Sequence, residues 1–346
     1  MPDETLTYAA AGVNIDEASR ALRSVLPNIR ATYNDQVVSG VGGFGGLFRA
    51  SFPECERPVL VSSIDGVGTK TKVAAMAGRY EGLGADIVNH CVNDILCQGA
   101  RPLFFMDYFG TSRLSGPVFE AVVGSAAAAC KDVGAVLLGG ETAEMPGVYH
   151  DDEVDVVGAI VGVVDQDRKL PRGSMQAGDA IVGIAGNGLH TNGYSLARRA
   201  LFEVGGMSVR DEVPGLGTTL ADELLRPHPC YFNAVYPILQ EMPDVYGVAH
   251  ITGGGLYDNV PRVLPADLQA VIEKRTWTPL PIFRLIQETG SVPESEMYRA
   301  FNMGIGMVLV VARESVAAVI QRLNQAGESA ALIGEIQRGA RDVQLV

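Results

Sequence analysis

Lysine is scarce in this 346-residue chain, with five among 27 basic residues, at positions 70, 72, 131, 169 and 274. The dipeptide Gly-Lys never occurs. A Walker A loop is therefore excluded, and any ATP binding must use another framework. Cysteine is also sparse: Cys55, Cys91, Cys97, Cys130 and Cys230 are odd in number and form no C-x-x-C pair. That argues against a disulfide framework and against a zinc ribbon. No apolar run approaches the roughly 18 residues that span a bilayer. The acidic opening MPDETLTYAAAGVNIDEA has neither the basic start nor the apolar centre of a secretory signal. Basic residues are outnumbered by 40 acidic ones, giving a net charge of −13. A general nucleic-acid binder needs the opposite balance. These absences leave a reduced, cytoplasmic protein without membrane or nucleic-acid partners.

Glycine is abundant, at 41 residues, and hydrophobic residues make up 47%. A chain of this length divides into two domains more readily than it builds one core. The polar stretch 165–179, with Pro and Gly, marks the boundary, so domains are expected at 1–168 and 169–346. Strands and helices mix in both halves, which predicts α/β (α+β) layers. Asn14 and Glu17 suggest a capping box for a helix near 15–26. Strands are expected at 58–65, 103–109, 135–138 and 154–164, with helices near 86–98 and 117–131. The second half is expected to have strands at 180–184, 269–273, 307–311 and 331–336. Its helices are expected near 194–204, 229–241, 281–289 and 313–325.

Several glycine clusters sit beside chemistry-bearing residues. Gly40-x-Gly42-x-x-Gly45 matches a dinucleotide fingerprint, but no strand precedes it and no helix follows, so a loop or mobile lid is the better reading. Asp65-Gly-Val-Gly-Thr-Lys70 ends a strand, where open α/β layers present ligands. Gly66 and Gly68 free the backbone to approach an anion, while Thr69 and Lys70 offer a hydroxyl and a point charge. The next helix carries Asp86, Asn89, His90, Asn93 and Asp94 opposite its apolar face. Asn and Asp are mediocre helix formers, so something beyond propensity favours them. Either a solvated face or an oxygen-rich Mg²⁺ site accounts for the row. Gly139-Gly-Glu-Thr-Ala-Glu144 reads as a turn after a strand, with Glu141 or Glu144 as possible metal contacts. His190-Thr-Asn-Gly-Tyr-Ser195 leads into a helix start suited to a phosphate. His250-Ile-Thr-Gly-Gly-Gly255 is a second Gly-rich turn led by a histidine, which is either structural or catalytic.

Taken in order, these segments resemble the phosphoribosylformylglycinamidine cyclo-ligase (AIR synthetase) family nearly end to end. The resemblance includes Tyr8-x-x-Ala-Gly-Val-x-Ile-Asp16, the Gly-Gly-Phe-Gly loop, Cys91-Val-Asn-Asp94 and Gln98-Gly-Ala-x-Pro-Leu-Phe-Phe105. It continues through Gly139-Gly-Glu-Thr-Ala-Glu-Met-Pro146, His190-x-Asn-Gly-Tyr-Ser-Leu196, His250-x-Thr-Gly-Gly-Gly255 and Met297-Tyr-Arg-x-Phe-Asn302. It implies a two-domain fold and a homodimer whose N-terminal sheets join. The implied reaction is ATP-dependent closure of formylglycinamidine ribonucleotide to aminoimidazole ribonucleotide in purine biosynthesis. Asp65, Asp94 and Glu141 become expected Mg²⁺–ATP ligands. Gly66, Gly68, Thr69, Lys70, Asn93, Gly139 and Gly140 become expected ATP contacts. His190, Asn192, Ser195, Thr252, Gly253 and Gly254 are expected at the substrate, and His250, Asp94 and His190 in the chemistry. Another ATP-dependent synthetase of the superfamily, or a nucleotide-binding regulator on the scaffold, is the alternative. No Cys precedes the Gly-rich loop, unlike the selenophosphate enzymes, and the acids a mere regulator would lose are present.

Overall fold

A computed structural model describes residues 7–8 and 12–346, so residues 9–11 of the Tyr8–Asp16 motif lie outside the described residues. The first half runs α1 (Ile15–Arg30), β1 (Val37–Ser39), β2 (Leu47–Phe48), β3 (Pro58–Gly66), α2 (Lys70–Ala77), α3 (Leu83–Leu96), β4 (Arg101–Thr111), α4 (Gly116–Asp132), β5 (Val136–Glu144) and β6 (Val154–Asp165). The second runs β7 (Ala180–Ala185), α5 (Tyr194–Arg198), α6 (Leu220–Leu224), α7 (Phe232–Glu241), β8 (Val245–His250), α8 (Gly255–Asn259), β9 (Leu268–Ile272), α9 (Pro281–Gly290), α10 (Glu294–Ala300), β10 (Ile305–Val311), α11 (Val316–Gln325), β11 (Ala330–Arg338) and β12 (Val343–Leu345).

Each half is built on its own sheet. The first has four strands in the order β3-β6-β4-β5, and the second six in the order β12-β9-β11-β7-β10-β8. Burial alternates along β6, from Val154 through Val156, Gly158 and Ile160, so one face of the first sheet is covered and the other half-open. The covered face packs on α3, and the approach is close enough to demand glycine. A Cβ at Gly158 would stand 2.1 Å from Phe105 Cζ and 2.8 Å from Ile87 Cγ1. Likewise a Cβ at Gly84 would stand 1.9 Å from the Val122 carbonyl, so α3 and the small-residue helix α4 meet almost backbone to backbone. In the second sheet β11 and β7 are the two middle strands, and β10 (Ile305–Val311), between β7 and β8, is buried throughout.

Two local expectations change. Asn14 Oδ1 does cap α1 by accepting from Glu17 N (3.1 Å), but Glu17 does not close the box. Glu144 does so from across the fold: one carboxylate oxygen accepts from Asn14 N (2.7 Å), the other from Leu114 N (2.7 Å). Residues 139–144 are not a turn either; β5 continues through them, parallel to β4. Gly140 lies opposite Asp107, and its Cβ would be 2.2 Å from Asp107 Oδ1. Glycine is therefore needed there for close approach, not for turning. No helix among the described residues is long and apolar enough to cross a membrane.

Candidate active site

The polar face of α3 explains its own composition. Asp86 Oδ1 accepts from His228 N (2.7 Å), Asn89 Nδ2 donates to His228 O (2.7 Å), and Asn93 Nδ2 donates to Pro229 O (2.9 Å) while its Oδ1 accepts from Tyr231 N (3.0 Å). Short amide and carboxylate side chains on this stripe read the backbone of 228–231 and so dock the second domain on the first. Lysine or glutamate would be too long for this role.

Lys70 belongs to the same joint. It is fully buried, and its ammonium donates to Asp86 Oδ1 (2.8 Å) and Arg226 O (2.7 Å). Burial is the main influence on both partners, pulling the Lys70 pKa down and the Asp86 pKa up against their mutual attraction. The expected phosphate contact is thus corrected: this ammonium faces the domain joint. Asn93, expected at ATP, likewise has both ends of its amide engaged in the joint.

The remaining polar residues of α3, His90 and Asp94, face a cavity of about 430 Å³ between the domains. Asp65 arrives from the end of β3, His250 from the end of β8, and Asn192, Thr252 and Gly253 from loops of the second domain. Sequence reasoning missed how four of the five histidines gather here. His90, His190, His228 and His250 are all buried, with ring centroids 4.4–5.3 Å apart between neighbours. His228, on a Pro-His-Pro segment, had no motif to flag it. Only its place opposite α3 reveals it.

The rings form a hydrogen-bonded chain between two carboxylates. His90 Nε2 lies 2.9 Å from Asp65 Oδ2, His90 Nδ1 2.8 Å from Thr191 Oγ1, Thr191 Oγ1 3.3 Å from His228 Nδ1, His228 Nε2 2.9 Å from His250 Nε2, and His250 Nδ1 2.8 Å from Asp94 Oδ1. Each of these five bonds needs one proton. Three neutral imidazoles and one hydroxyl supply four, so with both carboxylates ionised one ring is an imidazolium. Burial disfavours charge on His90, but its bond to Asp65 and the Asp94 and Asp65 charges outweigh that and raise its pKa. Of the three rings, His90 is the one whose surroundings favour the extra proton. Burial lowers His250, only partly opposed by Asp94, and lowers His228 well below the ordinary range. Asp65 and Asp94 resist their own burial and stay low, held mainly by His90 and His250 respectively. Reversing the bonds in sequence moves the extra proton from the Asp65 end to the Asp94 end.

Several expected residues lie outside this cavity. His190 is 1% exposed and in the left-handed region at φ +63°; its Nε2 accepts from Asn187 N (3.3 Å), while Nδ1 has no partner. It supports the cluster from behind and does not line the cavity. Ser195 Oγ lies 3.1 Å from Thr69 Oγ1, away from the lining. Gly66 ends β3 beside Asp65, where its N–H donates to Asp65 Oδ1 (2.7 Å). Gly68 supplies a left-handed turn at φ +68° into α2, and Gly254 does the same before α8 at φ +91°. Gly139, Gly140 and Glu141 line a second cavity of about 370 Å³ between α1, α4 and β5. Glu141 is on the opposite edge strand from Asp65, three strand spacings or about 14 Å away. One chain does not bring Glu141 to an ion shared by Asp65 and Asp94. In the second cavity, burial lifts the Asp107 carboxyl to about 7.

Asp65 and Asp94 do fit a hard cation. Asp65 and Asp94 are neighbours on the cavity wall, since Asp65 Oδ2 lies 2.9 Å and Asp94 Oδ2 3.7 Å from the same ring nitrogen, His90 Nε2. His90, Asp94 and His250 also bring their ligating atoms within 4.8 Å of one another. Mg²⁺ favours such carboxylates completed by water and phosphate, with the imidazoles orienting them from behind.

Comparison with known proteins agrees with this architecture. Residues 54–164 match the model for "AIR synthase related protein, N-terminal domain", and residues 176–345 match its C-terminal domain. The phosphoribosylformylglycinamidine cyclo-ligase of Alkaliphilus oremlandii is 45% identical over 340 residues, covering 98% of this chain and 99% of that protein. The thiamine-monophosphate kinase of Stenotrophomonas maltophilia shares the fold at 18% identity with a TM-score of 0.67, covering 93% and 95% of the two chains. The hydrogenase maturation protein HypE in complex with ATP does so at 20% identity with a TM-score of 0.63, covering 95% and 91%.

Proposed function

Because the chain belongs to the phosphoribosylformylglycinamidine cyclo-ligase family, we propose that it closes formylglycinamidine ribonucleotide to 5-aminoimidazole ribonucleotide, converting ATP to ADP and phosphate. The observation that carries the reading is the interdomain cavity in which Asp65, Asp94, His250, Asn192, Thr252 and Gly253 meet. ATP bound to a protein of this fold is consistent with it.

In this reading ATP phosphorylates the formyl oxygen, making a leaving group where hydroxide would be a poor one. A substrate nitrogen attacks the formyl carbon, phosphate departs, and the nitrogen sheds a proton as the ring becomes aromatic. Asp65 and Asp94 are the residues that would hold a Mg²⁺ ion accompanying ATP. The ion would supply charge neutralisation as phosphoryl transfer proceeds. The two domains exclude water and hold the reacting atoms together. Both ring nitrogens of His250 are already bonded, so His250 orients Asp94 and exchanges protons with His228 along the chain of rings. Gly139, Gly140 and Glu141 are retained as nucleotide contacts, separate from the ion at Asp65 and Asp94. The protein is proposed to act in the cytoplasm as a homodimer.

Purified protein given formylglycinamidine ribonucleotide and Mg-ATP should release ADP and a product positive in a diazotisable-amine assay. If neither forms across a range of salt and pH, the proposal fails.

A further inference from the structure

The interdomain cavity carries both signs of charge: Asp65 and Asp94 are its acidic residues, and Arg262 is the only lysine or arginine on its wall. It lies in the 3₁₀ turn Val260–Val263 that follows α8. Its Nε donates to the Asp258 carbonyl (3.2 Å), which anchors the guanidinium plane, and no carboxylate among the described residues pairs with it. In a chain with 40 acidic residues, a guanidinium left unpaired on a cavity wall is available to an anion.

The wall beside it is pre-set. Asn259 Nδ2 donates to the carbonyls of Thr252 (3.3 Å), Gly253 (3.2 Å) and Gly255 (2.8 Å), tying the 252–255 loop into one shape. Gly255 is left-handed at φ +59°, and a Cβ there would stand 1.9 Å from the Tyr298 carbonyl. The loop therefore has one fold, and Gly253, with Asn192 against it, lines the same cavity as Arg262. Of the three residues expected from sequence at the substrate phosphate, Asn192 lines this cavity, whereas His190 and Ser195 are outside it.

We propose that Arg262 is the anion subsite of the cavity and binds the 5′-phosphate monoester of the ribonucleotide substrate, with Asn192 as a further polar side chain on the same cavity wall. The identity of the nucleotide rests on the cyclo-ligase reading; the phosphate chemistry does not. The planar fork of arginine suits a phosphate monoester, gripped by two N–H donors.

Two measurements test this on Arg262→Gln and Arg262→Lys, with circular dichroism and urea midpoints as folding controls. In steady-state kinetics, Arg262→Gln should raise KM for formylglycinamidine ribonucleotide roughly 10- to 100-fold, with a much smaller change in kcat and no change in KM for ATP. Arg262→Lys should recover only part of the loss. An unchanged substrate KM, or a rise in the ATP KM instead, overturns the assignment. In calorimetry without ATP or Mg²⁺, ribose 5-phosphate should bind the native chain and bind Arg262→Gln roughly tenfold more weakly or worse. Equal binding by the two, or binding by neither at millimolar concentration, also overturns it. The calorimetry judges the subsite even if the native chain turns nothing over, in which case only the cyclo-ligase reading falls.

Discussion

At the scale of single residues, the joint between the domains is built on one buried charge pair. Asp86→Asn keeps the shape but leaves the Lys70 ammonium without a counter-charge inside the protein. Breaking such a pair costs about 3–5 kcal/mol, and the urea midpoint should fall accordingly. Asp222→Asn, at the exposed pair with Arg79, should leave the urea midpoint nearly unchanged. Comparable losses would show that the buried pair has no special role. The histidines give the joint a pH dependence. His190, His228 and His250 have lowered pKa values, mainly through burial. The unfolded chain therefore takes up protons near pH 6.5 that the folded chain refuses, and stability falls as pH drops below about 6.5. His90 has the opposite sign: its contribution is full below about 6.5 and is lost as pH rises through its raised folded pKa. Three rings against one make acid the destabilising direction. His190→Asn, which tolerates the left-handed backbone, should give a shallower fall in urea midpoint between pH 7 and pH 5. An unchanged slope would mean that this ring refuses no proton. Asp65 and the His250 loop were legible from residue type and neighbouring glycine, and Asp94 from its place on the polar face of α3. Lys70 was misread because its partners are 16 residues away and, at Arg226, a backbone carbonyl that no side-chain pattern announces.

At the scale of elements, regular periodicity made the long strands and helices legible, and the exceptions share a cause. The periodicity of α3 identified its apolar face, but its polar face is also covered, by a segment distant in sequence. β5 was cut short because Gly139-Gly140 resembles a turn, whereas the glycines admit the Asp107 side chain. β8 went unseen because it is a six-residue edge strand interrupted by Gly247, yet it carries His250 at its end. The cap of α1 is a further long-range case, since Glu144 serves Asn14 from 130 residues away. Removing both of its acceptor oxygens with Glu144→Ala should cost about 2 kcal/mol, in the range for hydrogen bonds to a charged group. It should speed hydrogen exchange in the first turn of α1 while leaving α3 protected. Uniform exchange across both helices would mean that the carboxylate is not a local cap.

At the scale of the whole molecule, the first sheet has one face unaccounted for within the chain. Leu60 and Ile64 on β3 are 62% and 71% exposed, and Met106 on β4 is 40% exposed. Ile64 and Met106 both pair with Ala159 of β6, so they lie in one row across the open face. Phe48 of the β1–β2 ribbon covers Phe104 at a ring distance of 5.2 Å but leaves the rest bare. β3 is also an edge strand, with hydrogen-bonding groups open on its outer side. An exposed apolar face on a strand edge marks an association site, and a second copy is the occupant that the resemblance implied. Burying Leu60 and Ile64 there would contribute about 1.5–3 kcal/mol per side chain, and a twofold interface counts each twice. The native chain should therefore sediment at twice 36.6 kDa at micromolar concentration. The double variant Leu60→Asp/Ile64→Asp should sediment as a monomer while keeping its circular dichroism spectrum, because both side chains already face outward in the isolated chain. A native chain that sediments as a monomer, or a double variant that still sediments as a dimer, would remove this face from the association. The α3 joint and the histidine chain lie on the other side of the sheet, so the acid-side loss of stability should persist in the monomeric variant.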